Sequence, residues 1–467
     1  MSLTPARRWL GAVLALALAA PAGAQDRIIT PDAARAGLRA ALAEGRADHA
    51  WHLARGLIAA LPQDYAGHAG LAQAELRLGR PAPALAAARA AQARAATPVQ
   101  RYESALLLAQ AHEAAGGLAG PMRAQFWARR AYALAPEGVY AQVARGEVQR
   151  IRRDSRLSLR LDLTAAPSDN VNNGTRASVI EFFGLPFAVS PQSRALSGWI
   201  GQATLSGRWR LAESRSSATA LRFAAVRREV RLSVASLAAL ERWRLDELAR
   251  GNVVVPQTDF DFAALEAGLT HRRALGQAVV DLGLTLGHNW FAGRDLTDYL
   301  RLDLSSERPL DAQTALFAGL ALERQWRHDS PLRDARQISA QAGVAHRLPG
   351  GDRLRLGFGA RRVASASADV AHRALNLRLG WDKAEPLAGI RLSGALSAES
   401  RRHGATLLAP AGRRDLRLGA ELSLTFERFD VMGFAPTLDL SATRNRSNQP
   451  VHDGRDLGLT VGFRSVF

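Results

Sequence analysis

The chain of 467 residues has no cysteine, three methionines and a single lysine, Lys383. Without cysteine there is no disulfide scaffold, no lipid-acceptor thiol after an export signal and no thiolate metal site. Long apolar runs are equally scarce. After the first two dozen residues none reaches the length of a membrane-spanning helix. A membrane protein without such runs must be a closed barrel, because only helices and barrels satisfy every backbone group in lipid. Acidic residues are outnumbered, 43 against 61 basic ones, for a net charge of +18. The basic residues are almost all arginine and are scattered through both halves of the chain. That distribution argues against a nucleic-acid stripe and for a charged interior lining.

Residues 1–24 read as a secretory signal peptide. Arg7 and Arg8 precede the apolar run WLGAVLALALAA, and Ala22-Gly23-Ala24 supplies small residues for cleavage before Gln25. The mature protein is therefore expected outside the cytoplasm.

Residues 27–153 are alanine- and leucine-rich with helical spacing and carry an internal repeat. Ala50, Ala54, Leu57 and Pro62 have the same spacing as Ala124, Ala128, Ala131 and Pro136, and Ala84, Ala88 and Ala91 lie 34 residues after the first set. A helix–turn–helix period of this length with small residues at these places resembles the tetratricopeptide repeat. Small side chains let paired helices approach closely, and proline stops the second helix of each unit. Such solenoids hold protein or peptide partners on concave faces. His49, His52, His68 and His112 have no ligand-spaced partners and read as surface or packing residues.

From Leu157 the period changes to two, the signature of strands. Fourteen strands are expected, at about 157–164, 195–208, 217–229, 260–273, 276–290, 297–307, 313–327, 336–347, 352–364, 370–382, 387–401, 414–428, 433–446 and 456–467. The links after even-numbered strands are brief, as in ALG, PLDA, PGG and AEP. Those after odd-numbered strands include the long stretches 165–194, 230–259 and 402–413, with a link of moderate length after Trp290. Short periplasmic turns and longer outer loops are the pattern of a bacterial outer-membrane barrel. The fold class is thus α then β: a tetratricopeptide-like solenoid at 27–153 and a 14-stranded antiparallel barrel at 157–467.

Alternation sorts the two faces. Leu416, Leu418, Ala420, Leu422, Leu424 and Phe426 are expected to face lipid, with Arg417, Glu421, Ser423, Thr425 and Glu427 in the lumen. Asp281, Glu323, Arg355, Arg378 and Arg464 extend that polar interior. Trp290 and Trp381 sit near strand ends as girdle residues, and His288 falls on the lipid-facing register. The closing strand carries Phe463 and Phe467 on one face, read as an assembly signal for barrel-inserting machinery that recognises an unpaired strand. No nucleophile–histidine–acid set, phosphate loop or metal cluster emerges, so no catalytic, cofactor or metal residue is expected, and the chain does not read as an enzyme.

TAAPSDNVNNGT at 164–175 is the most unusual local feature. Pro167 is expected to end the first strand, and Ser168, Asp169, Asn170, Asn172 and Asn173 supply turn-forming side chains. Together with the repeat region, the strand count and the closing GFAPTLDLSATRNRSNQPVHDGRDLGLTVGFRSVF, this stretch resembles the surface lipoprotein assembly modulator family. The resemblance implies an outer-membrane translocator with its helical domain in the periplasm. It would act as a monomer on a client lipoprotein or secreted protein, in contact with outer-membrane lipid and not with nucleic acid. An exopolysaccharide export porin with periplasmic tetratricopeptide repeats, or a general diffusion porin, is the alternative. The stretch VIEFFGLPFAV in the first outer loop matches no family feature.

Overall fold

The computed structural model describes residues 29–117, 119–136, 138–182, 185–406 and 409–465. The expected signal peptide and the terminal Phe467 lie outside the described residues. The chain divides into two compact units, one ending at Ala96 and one running from Thr97 to Phe467.

The first unit holds α1 (Pro31–Ala43), α2 (Ala47–Ala60), α3 (Tyr65–Arg77) and α4 (Pro81–Arg94). Ala50, Ala54 and Leu57 of α2 are buried with Leu38, Ala41 and Leu42 of α1. Gly70 of α3 faces Leu38 so closely that a Cβ would lie 2.5 Å from its side chain. Small residues therefore set the helix spacing here, as the repeat implies.

The second unit begins with α5 (Pro98–Ala115), α6 (Gly120–Leu134) and α7 (Val139–Asp154). Thr97 and Gln100 form a capping box that starts α5. Ala124, Ala128 and Ala131 are fully buried against α5 and α7. The change from helix to strand falls between Asp154 and Leu157, yet α5–α7 group with the barrel and not with α1–α4.

The barrel strands are β1 (Leu157–Ser168), β2 (Gly198–Glu213), β3 (Ser217–Leu232), β4 (Phe262–Leu275), β5 (Ala278–Phe291), β6 (Arg294–Pro309) and β7 (Thr314–Arg327). They continue as β8 (Ala335–Arg347), β9 (Arg353–Ser365), β10 (His372–Asp382), β11 (Ile390–His403), β12 (Arg414–Phe426), β13 (Phe434–Ser447) and β14 (Gly454–Ser465). Each pairs antiparallel with its sequence neighbours, and β14 returns to β1 to close the barrel. Most ends lie within three residues of expectation. The turns at the helical end are short, while 169–197 and 233–261 at the opposite end, here called the outer end, are long.

Four details depart from expectation. Pro167 does not end β1 but lies inside it, opposite Trp199. It is tolerated because the β1–β14 ladder has already stopped at Ala165, leaving β1 an edge there. β12 stops at Phe426, and Glu427 begins a one-turn helix. The link between β5 and β6 is only Ala292-Gly293, both at positive φ as a two-residue hairpin requires. Finally, the second outer loop contains a helix, α8 (Val234–Ala249), whose N-cap Ser233 accepts from the Ser236 N–H.

Register and exposure separate the faces. Leu284, Leu302, Leu356, Leu377 and Leu416 lie on one face, each 40% exposed or more. In water this continuous belt of leucine would be an unsupported apolar surface; in lipid it is the natural exterior. Trp199, Trp290 and Trp326 mark its outer edge, and Trp209 and Trp381 its helical edge. No helix among the described residues is long and apolar enough to cross a membrane.

The seam is the exception to regular pairing. Every other neighbouring strand pair has at least eleven residues in register. Between β1 and β14, Leu163, Thr164 and Ala165 lie opposite Phe463, Gly462 and Val461, and no further pair forms among the described residues.

The alternation makes a direct prediction. Leu422→Arg puts a cation on the lipid face, at a cost of about 2–4 kcal/mol near the bilayer midplane. Ser423→Arg, opposite Asp439 on the inner face, has a carboxylate to meet. The first variant should lose heat-modifiable, membrane-inserted protein and the second should keep it. Equal losses on semi-native gels would overturn the face assignment.

Candidate functional site: the lumen and its two mouths

The inner face is held by ion pairs that bridge adjacent strands or reach across one. Arg272 of β4 meets Asp281 of β5 at 2.8 Å, and Arg378 of β10 meets Glu421 of β12 at 2.6 Å. Arg301 of β6 lies 3.8 Å from Glu323 of β7, and Arg464 lies 4.0 Å from Asp439. Arg417 stands between Glu399 and Asn445 in register. All seven residues singled out for the lumen thus share the face opposite the leucine belt. Each exposed pair contributes little stability, about 0–1 kcal/mol. Their effect is chemical: the lining presents both signs and repeated hydrogen-bond donors.

Aromatic residues add to this lining in a way spacing does not reveal. The Phe317 ring lies over Gly343, where a Cβ would come within 2.4 Å of it, and the Arg355 guanidinium stacks on the ring at 3.9 Å from its centroid. Tyr299 covers Gly287 and donates to Glu266. At the helical end, Arg152 of α7 joins Ser158, Arg160, Arg208, Arg222 and Glu266 around a cavity of ≈ 380 Å³. Burial, and then the neighbouring Arg160 cation, push the Arg152 pKa down.

The outer mouth is narrowed by its own loops. Val171, Leu196, Val230, Leu240 and Phe260 form a buried apolar cluster, with Ile200 and Leu232 against it. Ile200 and Val230 lie opposite each other on the inner face, so the first outer loop and α8 fold over the lumen from the β2–β3 side. The stretch Pro167–Asn173 does the tying. Asn170 exchanges two hydrogen bonds with Gly174, at 2.7 and 2.9 Å. Asn172 donates to the carbonyls of Gln192 and Arg194 and accepts from the Leu196 N–H at 3.0 Å. Ser168 accepts from the Asn170 N–H, Asp169 pairs with Arg176, and Asn173 takes positive φ. The unassigned VIEFFGLPFAV stretch forms a hairpin, Val179–Phe182 with Leu185–Ala188. Its Leu185 is 62% exposed.

The helical mouth carries one contact that sequence reasoning missed altogether. Arg129 of α6 donates to the carbonyls of Met432 at 3.0 Å and Gly433 at 3.3 Å, and to Ser465 Oγ at 2.8 Å. Its guanidinium also stacks on Phe434, 4.8 Å from the ring centroid. Burial, and then Arg152, lower its pKa to about 10, which still leaves it charged at neutral pH. An arginine on an alanine-rich helix face reads as solvated; only the fold brings strand ends to it.

A closed, lipid-faced barrel with a polar lumen defines the class: an outer-membrane β-barrel of the channel type. Residues 325–467 match the family model described as surface lipoprotein assembly modifier. The C-terminal part of the barrel thus carries that family's signature, and the resemblance drawn from the sequence is borne out there. No curated protein matches the chain. Solved structures similar to it include Acinetobacter baumannii OccAB3, at 11% identity and a TM-score of 0.35, covering 67% of this chain and 99% of that one. A bacterial polysaccharide outer membrane secretin is similar at 7% identity and 0.34, covering 67% and 100%. A BenF-like porin from Pseudomonas fluorescens Pf-5 follows at 9% and 0.33, covering 66% and 98%. At these scores the likenesses carry no argument about function.

Two outcomes test the mouths. Asn172→Ala removes a partner from four backbone groups, those of Gly174, Gln192, Arg194 and Leu196, worth about 1–3 kcal/mol. Segment 169–197 should then become protease-sensitive from outside while the barrel stays heat-modifiable; unchanged resistance would refute the tying role. Arg129→Gln should raise amide hydrogen exchange in α6 and at the helical end of β14, and leave the other strands unaltered. Equal exchange in α6 would show that the helices are held by other contacts.

Proposed function

We propose that the protein is an outer-membrane translocator that delivers a lipoprotein, or a related secreted client, to the cell surface. The observation that carries this reading is the match of residues 325–467 to a family described by surface lipoprotein assembly. The helical region would lie in the periplasm, on the side of the short turns, and its tetratricopeptide-like repeats would hold the client before transfer. The role assigned is transport, not catalysis. The barrel would reach the membrane through the assembly machinery as a monomer.

A second observation favours a lipidated client over a polysaccharide. An acyl-anchored protein must end with its chains in a leaflet, and a channel open only at its two mouths cannot release them sideways. The seam, paired at three positions among the described residues, is the shortest ladder they show and supports lateral release. A polysaccharide exporter has no need of such a seam.

Deleting the gene should abolish surface exposure of a co-encoded lipoprotein, read by antibody or protease access on intact cells. Normal display in the deletion strain would refute the translocator reading. Ala165→Cys with Val461→Cys locks the seam in a chain with no other cysteine. Display should fall to the deletion level when oxidised and recover on reduction. Leu377→Cys with Ala398→Cys, a lock between β10 and β11, should leave display intact. Equal display in both locked forms would refute the lateral route while leaving translocation standing.

A further inference from the structure

The outer ends of β5, β6 and β7 hold a cluster that the lumen does not use. His288 lies on the outward face directly opposite Asp298. One residue further the register shifts: Asn289 faces Thr297, Trp290 faces Asp295, and Leu296 has no partner across the ladder. In a regular strand, residues three apart point to opposite faces. The extra residue of this bulge puts both Asp295 and Asp298 on the His288 face, the re-aiming for which bulges are used. The bulge also fixes His328, whose backbone N–H donates to the Leu296 carbonyl at 3.0 Å.

Asp298 consequently bridges two imidazoles. Its Oδ1 lies 2.6 Å from His288 Nδ1 and its Oδ2 lies 2.8 Å from His328 Nε2. Asp295 Oδ1 lies 3.2 Å from His288 Nε2. One ligand atom each from His288, Asp298 and His328 falls within 4.8 Å of the others. The Trp290 ring packs against the His288 ring at 4.1 Å and limits its rotation. The histidines are partly exposed, so an ion can enter from the outer aqueous side.

We propose that His288, Asp298 and His328, with Asp295 as an additional oxygen donor, form a binding site for a divalent transition-metal cation of the zinc class. Two imidazole nitrogens with carboxylate oxygen suit zinc; calcium and magnesium favour all-oxygen sets, and copper(I) favours sulfur. Zinc–ligand bonds of about 2.0–2.2 Å place tetrahedral donor atoms about 3.3–3.6 Å apart. The present spread of up to 4.8 Å leaves about an ångström for the side chains to close on the ion. The bound ion would cross-link the bulge of β6 to β5 and to the start of the loop at 328–334, clamping the outer rim from its lipid-facing side. This departs from the expectation of no metal residue, which rested on spacing along the chain. It stands independently of the translocator reading.

The test uses tag-free, full-length protein in detergent, stripped with chelator and titrated calorimetrically with zinc chloride, with calcium chloride as comparison. One zinc per chain should bind, with a rise in unfolding temperature from binding to the folded state alone. Asp298→Asn, which keeps size and hydrogen-bonding capacity, should weaken binding by at least about tenfold, as losses even of residues behind metal ligands do. His328→Ala should do likewise. Both variants should remain heat-modifiable, which separates lost binding from lost folding. Absence of stoichiometric zinc binding, zinc binding unchanged in both variants, or equal affinity for calcium would each overturn the site. In the first case the cluster is a hydrogen-bonded triad only.

Discussion

Backbone hydrogen bonding in a medium without water is the constraint on which the structure depends. Every N–H and C=O in the lipid-exposed wall needs a protein partner, and a sheet meets that demand only by returning to its first strand. Closure dictates the antiparallel order from β1 round to β14 and a strict division of side chains between two faces. It also makes the β1–β14 contact the one place where the wall is joined by strands distant in sequence. Every other neighbouring pair is also joined by a turn or loop; the closing pair has none and must hold by the ladder alone. Among the described residues that ladder spans Leu163–Ala165.

The face division explains why so much was legible before the fold was in view. A period of two needs no tertiary information, so Leu416, Leu418 and Leu422 separate from Arg417 and Glu421 by counting alone. The short turns were readable from glycine and proline. Where local signals were weak, the reading slipped. Ala292-Gly293 lacks the asparagine or aspartate that announces a two-residue hairpin, and the link was expected to be longer. α8 falls inside the segment 230–259 that reads as a long loop, although Ser233 is a good cap.

What counting cannot provide is juxtaposition across strands. His288, Asp298 and His328 are spread over forty-odd positions, with no spacing that suggests a ligand set; strand pairing sets His288 opposite Asp298, and the bulge at Leu296 holds His328 by its backbone. The same holds for Val171, a valine in a polar loop that the fold buries against Leu240 of α8. The Asn-rich stretch was visible as turn-forming. Its purpose, tying a loop over the lumen, depends on Gln192, Arg194 and Leu196, some twenty residues away.

The helices α6 and α7 bear directly on the seam. Through Arg129, α6 grips Ser465 of β14 and the turn leading into β13. α7 runs through Ser155 and Arg156 into β1, and Arg210 of β2 donates to the carbonyls of Arg153 and Ser155 at 2.7 and 2.8 Å. One helical pair is therefore fastened to both edges of the closing ladder. The core it shares, Ala124, Ala128, Val148 and Ile151, is tightly buried, so the pair moves as a body and not as two independent anchors. The seam cannot widen at its helical end without breaking the Arg129 contacts or bending the link at 155–156. Closing the wall with few strand pairs is thus offset by a clamp outside the membrane. A change in how α6 and α7 pack is the mechanical input to which this seam is exposed.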